Sequence, residues 1–244
     1  MKPRKCAGCC SLVSFLFSAV ALSSASNAIE LIENGDFETG DFTGWSVTDL
    51  PGGNGSWFID GNDTLTPRGM RATVGAASGD YYAVSDQNGP GTHVLEQEFT
   101  VPLSAATVSL SFDMFVNDFS SLGPLFDALG LDHTGGLNQH ARVDLLTATA
   151  DSFDTTSGVV TTFFMGVDPQ AANPNPYTNY TFDLTGIALP GETYRLRLAE
   201  VDNLFFLNQG VDNISVDFVP VPEPSTLILL GSAIFGLTSR RSLT

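Results

Sequence analysis

The chain has 244 residues, with ten basic side chains against 27 carboxylates and a formal charge of −17. A polyanion of this strength repels nucleic acid and anionic lipid surfaces, so neither is expected as a partner, while divalent cations and neutral polymers stay open. The common enzyme signatures are missing: there is no Gly-x-Ser-x-Gly elbow, phosphate loop, dinucleotide fingerprint or His-Glu-x-x-His pair.

Lys2, Arg4 and Lys5 open the chain, an apolar run follows from Leu12 to Leu22, and Ser26-Asn27-Ala28 closes a small polar segment. That order predicts a secretory signal peptide over residues 1–28, with signal peptidase cutting after Ala28. The run is too short for a comfortable membrane span. Cys6, Cys9 and Cys10 all precede it, so none starts a mature lipoprotein, and residues 29–219 contain no cysteine, disulfide or thiolate metal site. Those 191 residues carry 26 carboxylates against Arg68, Arg71, Arg142, Arg195 and Arg197, a net charge of −21 without a lysine. Self-repulsion in solution accounts for most of that charge without a ligand.

Residues 29–219 alternate with period two between clusters of Gly, Asn, Asp and Pro. In Thr107–Asn117 one face holds Val108, Leu110, Phe112, Met114 and Val116, and the other Thr107, Ser109, Ser111 and Asp113. The segments around Phe99, Leu196 and Val216 alternate likewise. Further strands are predicted at 81–85, 141–148, 159–165 and 180–184, and shorter ones near Trp45 and Trp57. Roughly ten half-buried strands predict an all-β, antiparallel sandwich in one domain. Two long connections interrupt it, 52–69 and 119–139, the second with room for one helical turn.

His93, His133 and His140 are scattered without zinc-ligand spacing and read as loop or surface residues. The chemistry gathers instead at the ends of the domain: Asn34-Gly35-Asp36-Phe37-Glu38 with Gly44-Trp45 at the start, and Val211-Asp212-Asn213-Ile214-Ser215-Val216 in the last strand. Asp212 shares the parity of Ile214, Val216 and Phe218, which aims it at the core, where an ionised carboxylate needs a cation or several donors. The two motifs resemble those of galactose-binding-like jelly-roll domains, including many carbohydrate-binding modules. That resemblance implies a structural Ca2+ ligated by Glu38 and Asp212, with the Asn34 backbone among its carbonyl donors; the other reading is that Asp212 caps local N–H groups and binds no ion. It also implies sugar binding through aromatic faces. Trp57 and Tyr82 are the stacking candidates, Trp45 being read as core packing. Asn138 and Arg142 join them from the polar run Asn138–Asp144, where Arg142 is expected to pair with a carboxylate.

The tail, residues 220–244, reads Val221-Pro222-Glu223-Pro224-Ser225, an apolar helix over 226–239 and a basic end at Arg240-Arg241. Two prolines stiffen the first part, and the arginines mark the cytoplasmic side of an apolar segment. This three-part order resembles the PEP-CTERM sorting signal. The resemblance implies recognition of Pro222, Glu223 and Pro224 by an exosortase-type transpeptidase, after transient anchoring of the exported chain in the inner membrane. The expected function is non-catalytic: a cell-surface or matrix protein that binds or organises extracellular polysaccharide. The alternatives are a glycan-active hydrolase with its site in the long loops, and a permanently anchored structural protein.

Overall fold

A computed structural model describes residues 27–61, 63–120, 122–167 and 173–222. Ala28 and Pro222 are exposed at the edges of this body. Most of the signal peptide, Glu223, Pro224, the 226–239 helix and Arg240-Arg241 lie outside the described residues. Among the described residues no helix is long and apolar enough to cross a membrane.

The architecture is all-β. Eleven strands are described: β1 (Ile29–Glu30), β2 (Ser46–Asp49), β3 (Ser56–Gly61), β4 (Tyr81–Asp86), β5 (Gly91–Thr100), β6 (Ala105–Asp118), β7 (Gln139–Thr147), β8 (Val159–Gly166), β9 (Thr178–Asp183), β10 (Thr193–Asp202) and β11 (Leu207–Pro220). One sheet has the order β3-β4-β11-β6-β9, with β1 also pairing β11, and the other β2-β5-β10-β7-β8. All pairs are antiparallel. From β4 onward the chain mostly alternates between the two sheets, which is jelly-roll connectivity.

The alternation read from the sequence builds the core. Val108, Leu110, Phe112, Met114 and Val116 of β6 meet Leu95 and Phe99 of β5, Val143 and Leu145 of β7 and Leu196 and Leu198 of β10. The short strand expected near Trp57 is present, and the helical turn allowed for in 119–139 is not seen among the described residues. Strand β3 divides the first connection, so the long irregular stretch among the described residues is 63–80. It folds over the outer face of the first sheet, covering Tyr82, Val84 and Phe115. Gly210 of β11 lies beneath the Phe115 ring, where a Cβ would collide with it. The second connection holds turns and a bridge between Leu125 and Gln139.

One parity assignment needs correction. The β11–β6 register shifts between Asp212 and Ser215, with Asn213 at φ 53°. A bulge of this kind reverses the side chains on either side of it. Ile214, Val216 and Phe218 point into the core as expected, and so does Val211, which sends Asp212 to the outer face.

Candidate functional site

Glu38 and Asp212 both fasten the turn that leads into β4. Asp212 Oδ2 accepts the N–H groups of Ala77 (2.9 Å) and Ser78 (3.0 Å), and its Oδ1 accepts that of Asn213 (2.7 Å). Burial still raises its pKa to about 6, against the pull of those three donors. Glu38 Oε1 accepts the N–H groups of Asp80 (2.9 Å) and Tyr81 (3.0 Å). The Asn34 carbonyl is occupied by the Trp45 indole N–H (3.1 Å) and the Phe37 amide. Gly35 is there because its backbone lies against that of Ile214, leaving no room for a Cβ. With five N–H groups on two carboxylates, this set is engaged in joining first segment, turn and last strand, and fits an ion poorly. Among the described residues no three His, Cys, Asp or Glu side chains gather as a metal site.

The stacking candidates present no ring to solvent. Trp57 is 3% exposed because β3 turns it inward, and Tyr82 is fully buried beneath the 63–80 connection. The Tyr82 hydroxyl lies between Asp60 Oδ2 and Thr73 Oγ1, both at 3.0 Å, and burial raises its pKa. Trp45 packs against Phe37, as expected. Asn138 ties its own loop together: its side-chain amide donates to Gly130 and Asp132 carbonyls, and its Oδ1 accepts from Asp127.

Arg142 makes the carboxylate pair expected of it, gripping Asp144 through two bonds of 2.7 and 2.8 Å. Asp144 also binds Arg197 (2.6 Å) and the Thr162 hydroxyl (2.7 Å). Burial pushes the Asp144 carboxyl up; the two guanidiniums and the hydroxyl more than reverse it and leave the pKa lowered. This network pins the outer face of the second sheet: Arg197 also donates to the carbonyls of Ser152 and Asp154. The three histidines are buried, contrary to the surface positions expected of them.

A different place gathers unspent chemistry, where β4 turns into β5 and β10 into β11. On the inward face of β10, Leu196 and Leu198 give way to Glu200 and Asp202, and the apolar core becomes a polar layer. Glu200 is fully buried, and the Ser85 hydroxyl is the one donor that acts on it; His93 Nε2 lies 3.9 Å away. Burial, then the neighbouring Asp202 and Asp86 charges, raises its pKa. His93 Nδ1 meets Asp49 Oδ1 at 2.7 Å and its Nε2 meets the Asn54 carbonyl at 3.1 Å. Asp202 accepts the Gly91 N–H at 3.0 Å, and burial raises it to about 7 against the pull of Gln87 and that N–H.

Above this layer opens a cavity of about 170 Å³, lined by Asn88, Pro90, Asp202, Asn203, Phe205 and Phe206 among others. Phe205 is 50% exposed, edge-on to Phe206, and also walls a shallower depression with Phe119 and Leu122. The Arg71 guanidinium stacks on Phe206, 3.5 Å from the ring centre. An aromatic face beside amide and carboxylate oxygens suits a polyhydroxylated ligand. None of these residues was singled out from the sequence. The signal was there: Leu204-Phe205-Phe206-Leu207 breaks the period of two immediately after Asp202-Asn203, and Glu200 and Asp202 share the parity of Leu196 and Leu198.

Fold and site together define an all-β jelly-roll domain with a loop-built pocket at one end. The chain carrying it is an exported one, because residues 220–242 match the PEP-CTERM protein-sorting motif. No curated protein matches the chain. Among solved structures it is similar to TmCBM61, determined with β-1,4-galactotriose (11% identity, 77% of this chain and 97% of that one, TM-score 0.46). It is also similar to the K3 cleaved adhesin domain of Lys-gingipain from Porphyromonas gingivalis (17% identity, 78% and 99%, TM-score 0.48). A third is a Stig cyclase from Fischerella sp. TAU (16% identity, 80% and 100%, TM-score 0.47). Similarity at this level transfers no ligand, residue role or activity.

Proposed function

We propose that this exported chain is a non-catalytic polysaccharide-binding protein of the cell envelope or extracellular matrix, with a sugar seated against Phe205. The observation that carries the reading is a half-exposed aromatic face standing over a cavity rimmed by Asn88, Asn203 and Asp202. Its place in the fold favours display. Strand β11 starts beside the pocket at Leu207 and ends at Pro220, where the sorting motif begins. Fourteen residues at about 3.3 Å each separate the two by roughly 45 Å. The chain therefore leaves the sandwich at the end away from the pocket, and transpeptidase processing near Pro222-Glu223-Pro224 leaves the pocket intact.

A hydrolase reading has one observation in its favour, the Asp202 carboxyl at about 7, suited to a general acid. The two-carboxylate mechanism needs a second such group, and among the described residues lining the cavity Asp202 is the one carboxylate. Electrophoresis of the full chain in detergent, through gels containing neutral polysaccharides, separates the readings. Binding retards the wild type, and Phe205→Ala weakens it about tenfold, the scale of one lost aromatic contact. Migration unaffected by every polysaccharide, or equal retardation of Phe205→Ala, sinks the assignment. Release of new reducing ends replaces it with catalysis.

A further inference from the structure

The polar layer beneath the pocket is short of donors. Gln87, Glu200 and Gln209 are fully buried; Gln87 Oε1 and Gln209 Oε1 have no hydrogen-bond partner, and the two Glu200 oxygens have only the Ser85 hydroxyl to draw on. The donor ends of the two amides are already spent. Gln87 Nε2 donates to the Leu207 carbonyl, and Gln209 Nε2 to Met114 Sδ (3.1 Å) and the Arg142 carbonyl (3.5 Å).

These oxygens belong to one place. Gln209 N–H donates to Ser85 Oγ, and that hydroxyl acts on Glu200. Glu200 pairs across the sheet with His93 and Ala141, and the head of Gln209 reaches the carbonyl of the next residue, Arg142. Gln87 acts on Asp202, two residues along the same inward face. One unpartnered donor, Trp57 Nε1, lies on the strand paired with Ser85; that N–H and the Ser85 hydroxyl cannot satisfy four oxygens. Folded proteins rarely leave such atoms bare, and an unpaired buried carboxylate is the costliest of them.

We propose that the exported protein holds a calcium ion between its two sheets, bound by the Glu200 carboxylate and the amide oxygens of Gln87 and Gln209. The donor chemistry selects a hard cation. Every open acceptor is oxygen, and calcium accepts carboxylates, amide carbonyls and water together in irregular geometry. Asp202, with one oxygen on the Gly91 N–H, supplies the second negative charge at the edge of the layer. The site differs from the Glu38–Asp212 pair, where five N–H groups meet Glu38 Oε1 and both Asp212 oxygens, and it does not depend on what the pocket binds.

The test uses the full chain in detergent after chelation. Calcium at about a hundredfold above its Kd raises the melting midpoint by roughly 5–10 °C. The rise is lost in Glu200→Gln, persists in Glu38→Gln, and is not reproduced by equal ionic strength of choline chloride. Terbium in place of calcium reports location even where Glu200→Gln fails to fold. Trp57 pairs across the β3–β4 ladder with Ser85, whose hydroxyl acts on Glu200, whereas Trp45 bonds to Asn34 near Glu38. Sensitised terbium emission is lost in Trp57→Phe and kept in Trp45→Phe. An unmoved wild-type midpoint, a rise surviving in Glu200→Gln, or emission that follows Trp45 overturns the proposal, the last returning the ion to Glu38 and Asp212.

Discussion

Asp212 and Glu200 are carboxylates on successive long strands, both with no exposure to solvent, and they are treated in opposite ways. Asp212 receives three backbone N–H groups; Glu200 receives none. The difference follows from which face each occupies. On the outer face a bulge and the turn before β4 bring main-chain donors that no ladder consumes. On the inner face the N–H groups of β5, β7 and β10 are committed to their ladders. Only side chains can serve Glu200 there: the Ser85 hydroxyl is the one donor that does, and Gln87 and Gln209 have open oxygens instead. Burial alone therefore says little about a carboxylate's role. A supply of donors makes it a fastener, and a shortage marks a place for something else.

The comparison breaks most visibly at Asp212. Asp212→Ala strands the N–H groups of Ala77, Ser78 and Asn213 and costs about 3 kcal/mol, read from the urea midpoint. A loss below about 1 kcal/mol would mean that water replaces the carboxylate and that the turn is not fastened. The opposite sign is expected at the inner site. In chelator, Glu200→Met removes a buried acid short of donors with little change in volume and stabilises the chain by about 1–2 kcal/mol. A loss of stability under those conditions would show that Glu200 has sufficient donors in the ion-free protein.

Much of this was legible in the sequence. The period of two in Thr107–Asn117 placed the inward residues of β6 correctly, because nothing interrupts that strand. The same argument reversed the face of Asp212, since the bulge that shifts parity depends on how Gly35 and Ile214 meet across the fold. Trp57 and Tyr82 were unreadable for a related reason: exposure of a strand aromatic depends on what folds over it, and the covering 63–80 stretch lies distant in pairing. The open end was closer to hand, because parity alone puts Glu200 and Asp202 behind Leu196 and Leu198. What parity could not supply was the identity of their neighbours on β4 and β11, which come from the other sheet.

The smallest effect is in pH dependence, and it isolates the inner site. Burial raises Asp202 to about 7, so the folded chain holds that proton to higher pH than the unfolded chain does. Its contribution is complete below the unfolded carboxylate pKa and is lost as pH rises through about 7. His140, lowered to about 4 by burial and then by Arg142, works in the other direction: its contribution is lost as pH falls below the ordinary histidine range. Asp212, at about 6, overlaps that lower region. The window from about pH 6.5 to 8 therefore reports mainly on Asp202. The raised pKa of Glu200 acts with the same sign. Without calcium the chain loses about 1 kcal/mol across it, and Asp202→Asn flattens the slope. Calcium also flattens it, because the ion stabilises the charged carboxylates. A slope of unchanged size in both cases would place the titrating group elsewhere and leave the inner layer without a role in it.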